Sequence, residues 1–219
     1  MEDTRYRDRA QAGWILAGKL ALYTGRPDVL VLALPRGGVP VAFEVAKALH
    51  VPLDIFLVRK LGVPGQEELA MGAIASGGIW VINEDVVRML HIPASIIEDV
   101  ASKELRELER RERLYRDDRP LPVIQNRIVI LIDDGLATGA TMRAAVHALR
   151  VQHPARLLVA VPVAALPSCE ALRAEVDEVI APLTPELFRG VGWWYEDFAQ
   201  VSDKEVHTLL VQAERHSLA

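Results

Sequence analysis

The sequence predicts an α/β protein: an open, mostly parallel, twisted sheet with helices on both faces. Three observations carry this. Apolar runs rich in Val, Ile and Leu recur at residues 29–34, 53–58, 128–132 and 157–163, unbroken by a charge except at Asp54, as strands buried on both faces require. Stretches of helical periodicity stand between them, and that alternation argues for parallel strands joined by crossovers. No internal repeat or low-complexity linker interrupts the pattern.

The elements follow in order. Residues 8–23 read as an amphipathic helix, with Trp14, Ala17 and Leu20 or Ala21 at helical spacing, stopped by Gly25, Arg26 and Pro27. The first strand, 29–34, runs into the turn Pro35-Arg36-Gly37-Gly38 and a short helix from about Val39 to His50. The second strand, 53–58, ends in Arg59-Lys60. Residues 61–69, with Gly62, Pro64 and Gly65, read as a loop. Residues 71–75 and 79–82 flank Ser76-Gly77-Gly78 and predict a hairpin. A long helix opens near Pro93, where Ser95 and Glu98 have capping-box spacing.

From Lys103 to Arg119 this helix is dense in charges of both signs. Glu107–Arg111, Glu109–Arg113 and Glu112–Arg116 stand at i,i+4 in the favourable order, each pair worth about 0.2–0.5 kcal/mol. A solvated helix fits this better than a nucleic-acid face, because acids neutralise the arginines in place. A third buried strand, 128–132, leads through residues 133–139 to a helix ending near Val151. Strands at 157–163 and 178–181 follow, and Ser202 with Glu205 caps a last helix ending near His216. The expected organisation is one unit over 1–219: a core at about 29–182, a helical insertion at 93–117 and a C-terminal hood and helix at 183–219.

Composition bounds the function. The chain has 219 residues, a net charge of −5 and one cysteine. A mildly acidic chain is a poor candidate for nucleic acid or anionic membranes, which want a basic field. The longest uncharged runs fall short of the roughly 18 residues of a membrane span, and the charged N-terminus has no apolar signal core. Cys169 has no intramolecular partner, so a disulfide framework is excluded and a cytoplasmic protein is expected. The six histidines form no HExxH or His/Cys cluster, and Ser76 lacks the glycine of a GxSxG nucleophile.

The chemistry concentrates in residues 129–141, VILIDDGLATGAT. An apolar strand delivers Asp133 and Asp134 at its carboxyl end. A loop of small residues follows: Gly135, Ala137, Thr138, Gly139, Ala140 and Thr141. Small side chains let backbone N–H groups close around an anion, and a helix N-terminus adds aligned donors. The loop therefore suits a phosphate, while the carboxylates suit neighbouring hydroxyls or a hydrated divalent cation. A phosphate beside a diol describes a ribose 5-phosphate. The loop has no lysine, which separates it from GxxxxGK[ST] cradles.

This segment resembles the motif that binds 5-phosphoribosyl 1-diphosphate (PRPP) in type I phosphoribosyltransferases. Gly135 is the departure, since a bulky apolar residue is commoner there. Residues 34–39, LPRGGV, resemble the family's diphosphate loop, which implies Arg36, Gly37 and Gly38 as diphosphate contacts; alone, Gly-Gly is also an ordinary turn. Arg59 and Lys60 stand where the family places basic residues for the leaving group, although a strand end with solvated charges reads the same way. Residues 61–82 resemble the family's mobile lid. PRGGVPVA, VRKLG and WYEDF are similar to a subgroup of predicted phosphoribosyltransferases whose acceptor is unsettled.

The resemblance implies a sheet order of 3-2-1-4-5, with strand 1 at 29–34 beside strand 4 at 128–133. It also implies Mg²⁺ held mainly by PRPP and water near Asp133 and Asp134, with no direct protein ligand. Transfer would go to a nitrogenous base, with Asp133, Asp134, Arg59 and Lys60 as catalytic residues and the small-residue loop on the 5-phosphate. Ala137 stands where 6-oxopurine enzymes carry a third acid, which disfavours that acceptor. Trp193, Trp194, Tyr195 and Phe198 crowd one segment of an aromatic-poor chain. They serve either as a hydrophobic anchor or, through Trp194, as a stacking surface for the acceptor. Family members are often homodimers. The other readings are a PRPP-sensing module without catalysis and a metal-dependent phosphoesterase.

Overall fold

A computed structural model describes residues 5–117 and 119–217. The elements run α1 (Arg9–Lys19), a 3₁₀ turn, β1 (Val29–Ala33), α2 (Gly38–Leu49), β2 (Leu53–Ile55), β3 (Val58–Val63), β4 (Gln66–Ala75), β5 (Ile79–Ile82) and α3 (Glu84–Met89). Then come α4 (Ala94–Arg116), β6 (Ile128–Ile132), α5 (Ala140–Arg150), β7 (Arg156–Ala160), α6 (Leu166–Arg173), β8 (Glu178–Ile180), a second 3₁₀ turn at Val191–Trp194, and α7 (Asp203–Ser217). Among the described residues no helix is long and apolar enough to cross a membrane.

The main sheet has five parallel strands in the order β2-β1-β6-β7-β8. β1 and β6 are buried along their whole length, as their unbroken apolar sequences require. Side chains alternate between two cores. Val29, Val31, Ala33, Ile128, Ile130 and Ile132 meet α2, α1 and α7 on one face. Leu30, Leu32, Val129, Leu131, Leu157 and Val159 meet α5 and α6 on the other.

Beyond β2 the chain departs from the expected order. Among the described residues no strand flanks β2 on its outer side; β3, β4 and β5 form a separate antiparallel sheet. Two features account for this. β2 is only three residues long, and buried Arg116 of α4 reaches its edge, donating to the Asp54 carboxylate at 3.0 Å and to the Ile55 carbonyl. An edge so covered recruits no neighbour. The residues read as a loop at 61–69 are instead part of a hairpin, turning at Pro64-Gly65, with β3 pairing from Val58↔Ala75 to Val63↔Gln66. Buried Ser76 closes its far end: the Leu57 N–H donates to its hydroxyl at 3.0 Å and its own N–H donates to Leu57 O at 2.9 Å.

Three local expectations change. Trp14 is 69% exposed, because Ala12, Leu16, Ala17 and Leu20 carry the buried stripe of the first helical segment. Ser95 lies inside α4, whose N-cap is Pro93 with no side-chain cap. Arg116 leaves its i,i+4 register for β2, and α4 buries Ala101, Leu108 and Tyr115 rather than standing free in solvent. The Ser202 cap holds, with Glu205 N–H donating to its hydroxyl at 3.2 Å.

Candidate active site

Register places two loops side by side. β1 and β6 pair from Val29↔Ile128 to Ala33↔Ile132, and Leu34 N–H extends the ladder to Ile132 O at 2.9 Å. The segments that follow leave the same end of the sheet, where open parallel sheets bind ligands. One is Pro35-Arg36-Gly37-Gly38, whose Pro35–Arg36 peptide is cis. The other is Asp133-Asp134. They touch so closely that a methyl group on Gly37 would stand 2.0 Å from Asp134 Oδ2. One on Gly38 would stand 2.7 Å from Ile132 O and 2.9 Å from Asp133 Cα. Glycine is required at position 38, where the neighbours are backbone atoms, while at position 37 a side chain would push the Asp134 carboxylate aside.

The carboxylates are crowded. Asp134 N–H donates to Asp133 Oδ1 at 2.8 Å. Burial, and then the charge of Asp134, push the Asp133 carboxyl well above the usual range. Burial also pushes Asp134 up, opposed by Arg9, whose Nε donates to Asp134 Oδ2 at 2.9 Å. The Tyr195 hydroxyl donates to the Asp134 carbonyl at 2.6 Å, and burial raises that phenol far above its ordinary value. Among the described residues no group of three His, Cys, Asp or Glu side chains could hold a metal. A cation here would lean on substrate oxygens and water, as Mg²⁺ does with phosphates. A half-buried carboxylate pair facing one arginine has room for such added positive charge.

The small-residue loop is pinned at its middle and open at its end. Leu136 is buried; its N–H donates to Val163 O at 2.9 Å and its carbonyl accepts from Ala165 N–H at 2.8 Å. Around it, Thr138, Ala140 and Thr141 carry small side chains toward the end of the loop. Gly139 has φ +76°, a left-handed turn that suits glycine, and precedes α5 with no side-chain cap. The first N–H groups of α5 therefore have no intrahelical partner and point toward the crevice end. Gly135 is explained by Val191 of the second 3₁₀ turn: a methyl on Gly135 would lie 2.5 Å from Val191 Cγ1. The segment after β8 supplies the apolar group that a larger residue at 135 would have carried.

The basic residues are dispersed. Arg59 and Lys60 do not follow β2 but lie inside β3, on alternating sides. Arg59 faces α4 and pairs with Glu104 at 2.5 Å. Lys60 lines a cleft of about 590 Å³ with Arg59, Lys103 and Thr141, and a second with Ala140 and Arg143. Arg36 turns toward Asp203 of α7 at 3.8 Å, and the Tyr115 hydroxyl donates to that same carboxylate. Trp194 is buried with Tyr6, Ala12, Val163 and Tyr195, so its ring faces the protein; Trp193, between Arg5 and Arg189, is the more exposed indole. The anchor reading of the aromatic segment fits this arrangement, and the stacking role expected for Trp194 does not.

Sequence reasoning misses Arg9 and Val191. Both reach the motif from distant segments. The one local feature is an arginine at every second position from Arg5 to Arg9, which marks no partner for Asp134.

A parallel sheet with its crevice between a glycine-tight loop, a carboxylate pair and a helix N-terminus without a side-chain cap defines a class of open α/β proteins with a cleft at the carboxyl ends of the strands. Within that class the chain belongs to the phosphoribosyl transferase domain family, whose model matches residues 9–186. A Mycobacterium tuberculosis H37Rv protein with a provisional name as a phosphoribosyl transferase is 46% identical over 210 residues, covering 96% of this chain and 47% of that protein. Its counterpart in strain CDC 1551 matches equally. The chain thus spans about half the length of the curated relatives it matches. The crystal structure of TT1426 from Thermus thermophilus is 43% identical with a TM-score of 0.86, covering 95% of this chain and 98% of that one.

Proposed function

We propose that the protein is a Mg²⁺-dependent phosphoribosyltransferase. It takes the ribose 5-phosphate of PRPP, transfers it to a nitrogenous base and releases diphosphate, within one unit whose core is residues 29–182. The observation that carries this reading is the contact of Gly37 and Gly38 with Asp134 and Asp133 beside the open end of α5. Groups suited to a diphosphate, to ribose hydroxyls and to a phosphate thus follow one another along one crevice. Thr138, Gly139, Ala140 and Thr141 would hold the 5-phosphate, and Asp133 and Asp134 would accept from the ribose hydroxyls. Their negative charge also suits the cationic sugar that develops as the bond to diphosphate breaks. Arg36, Gly37, Arg59 and Lys60 would receive the leaving group. Mg²⁺, when bound, supplies positive charge to the diphosphate.

The double substitution Asp133→Asn, Asp134→Asn tests this. Diphosphate release from PRPP with a panel of nitrogenous bases should be abolished in a folded protein. Turnover equal to wild type would overturn the reading. A second reading, a PRPP-binding module without catalysis, draws on the ion pairs that Arg36, Arg59 and Asp134 make within the protein. Calorimetric binding of Mg-PRPP with no diphosphate release across the panel would favour it.

A further inference from the structure

We infer that Arg9 is a positioning residue of the transfer reaction proposed above, on which this inference rests: it fixes the Asp134 carboxylate beside the glycine loop. Arg9 is the first residue of α1, whose N-cap Asp8 accepts from Gln11 N–H at 2.7 Å and sets the first turn. From there its guanidinium makes three contacts in three directions. Nε donates to Asp134 Oδ2 at 2.9 Å, Nη1 donates to Ala199 O at 2.8 Å, and the guanidinium carbon lies 3.9 Å from the Phe198 ring centroid. Both members of the ion pair are largely withdrawn from water, with side chains 11% and 14% exposed.

The oxygen that Arg9 holds is the one facing Gly37. Asp134 is thereby clamped between α1 and the loop after β1, and its carbonyl is fixed by the Tyr195 hydroxyl. With Oδ2 engaged, the carboxylate has one defined orientation in which to offer Oδ1 to a ribose hydroxyl. Docking α1 does not require this pair, because Ala12, Leu16 and Ala17 already bury an apolar stripe. The fork of donors and the guanidinium held over the Phe198 ring also explain why arginine serves here and lysine would not serve equally. Groups that hold a reacting carboxylate in place act on the rate, since a misplacement of about 1 Å costs on the order of 100-fold.

The test uses the full chain with Arg9→Met and Arg9→Lys, measuring diphosphate release from Mg-PRPP with an acceptor that wild type accepts, alongside thermal melting. Arg9→Met is expected to lower kcat by about 100-fold with a much smaller change in KM for PRPP, and Arg9→Lys to recover roughly tenfold of that loss. A folded Arg9→Met protein with kcat and KM near wild type would overturn the inference, as would a loss confined to KM. If Arg9→Met does not fold, Arg9→Lys decides alone: an intact melting temperature with roughly tenfold lower kcat supports it, and unchanged kcat overturns it. Wild type that releases no diphosphate with any acceptor overturns the transfer reading and this inference with it, which separates the two failures.

Discussion

The two ends of the crevice are built in opposite ways. At the α5 end, residues 137–141 present small side chains and unpaired helix N–H groups, with no charged side chain in the loop. At the other end Arg36 already holds the Asp203 carboxylate and Asp134 holds Arg9, while Arg59, which shares a cleft with Thr141, holds Glu104. The first end is ready for an anion as it stands. The second already pairs its cations with carboxylates, so binding there exchanges partners. This reconciles a chain of net charge −5 with a polyanionic substrate: the attraction at one end comes from backbone dipoles, and at the other from cations whose counter-ions come from α4 and α7.

The largest expected effect is at the junction of the two ends. Gly38→Ala would drive its methyl into Ile132 O and Asp133 Cα, backbone atoms that cannot swing aside. Displacing the carboxylate loop should lower diphosphate release by about 100-fold or more. Turnover near wild type in a folded Gly38→Ala protein would mean that the contact between loops does not set the geometry of the reaction.

The phosphate end comes next. Thr141 is exposed beside the α5 N-terminus and lines the cleft shared with Lys60. A hydrogen bond to a charged group is worth about 1.5–3 kcal/mol, so Thr141→Ala should raise KM for PRPP roughly 10–100-fold. Because the 5-phosphate lies away from the breaking bond, kcat should hold. A fall in kcat with unchanged KM would place this loop at the chemistry instead.

How much of this contrast is legible in the sequence depends on how local each part is. The buried strands, the carboxylates and the small-residue loop come from patterns within about a dozen residues, whereas the pairing of β1 with β6 is what the family resemblance implies. The counter-ions come from neither. Arg9 meets Asp134 across 125 residues and Arg59 meets Glu104 across 45, and no periodicity marks either pair. The sequence misplaces Arg59 and Lys60 because the apolar run at 53–58 reads as one strand. The chain in fact divides at Phe56-Leu57, both buried, before β3 begins. Gly135 is visible as a departure from the motif, but its cause, Val191, lies in another segment.

At the paired cations the expected change has the opposite sign. Glu104→Gln keeps the shape of the Arg59 contact and removes its charge. Arg59 and Glu104 are partly exposed, and such pairs are worth about 0.2–1 kcal/mol. Releasing Arg59 should therefore lower KM for PRPP by at most about fivefold. A rise in KM would show that Glu104 orients Arg59 toward the substrate rather than restraining it.

The smallest effect concerns stability and comes from the crowding of the two carboxylates. Burial and Asp134 raise Asp133 well above the usual range, so the folded state favours its protonated form. Folding is then least penalised below the ordinary aspartate range, and stability is lost as pH rises through the raised value. Asp133→Asn removes this penalty. It should stabilise the protein at neutral pH by roughly 0.5–2 kcal/mol, the usual range for relieving a strained functional site. That corresponds to a melting temperature higher by about 1–8 °C for a chain of this size. The gain should disappear in acid, where Asp133 is protonated in both states. Melting curves at two pH values check both points. A gain that persists in acid would trace to packing rather than charge, and a loss at neutral pH would mean that the Asp133 carboxylate supports the turn through its bond from Asp134 N–H.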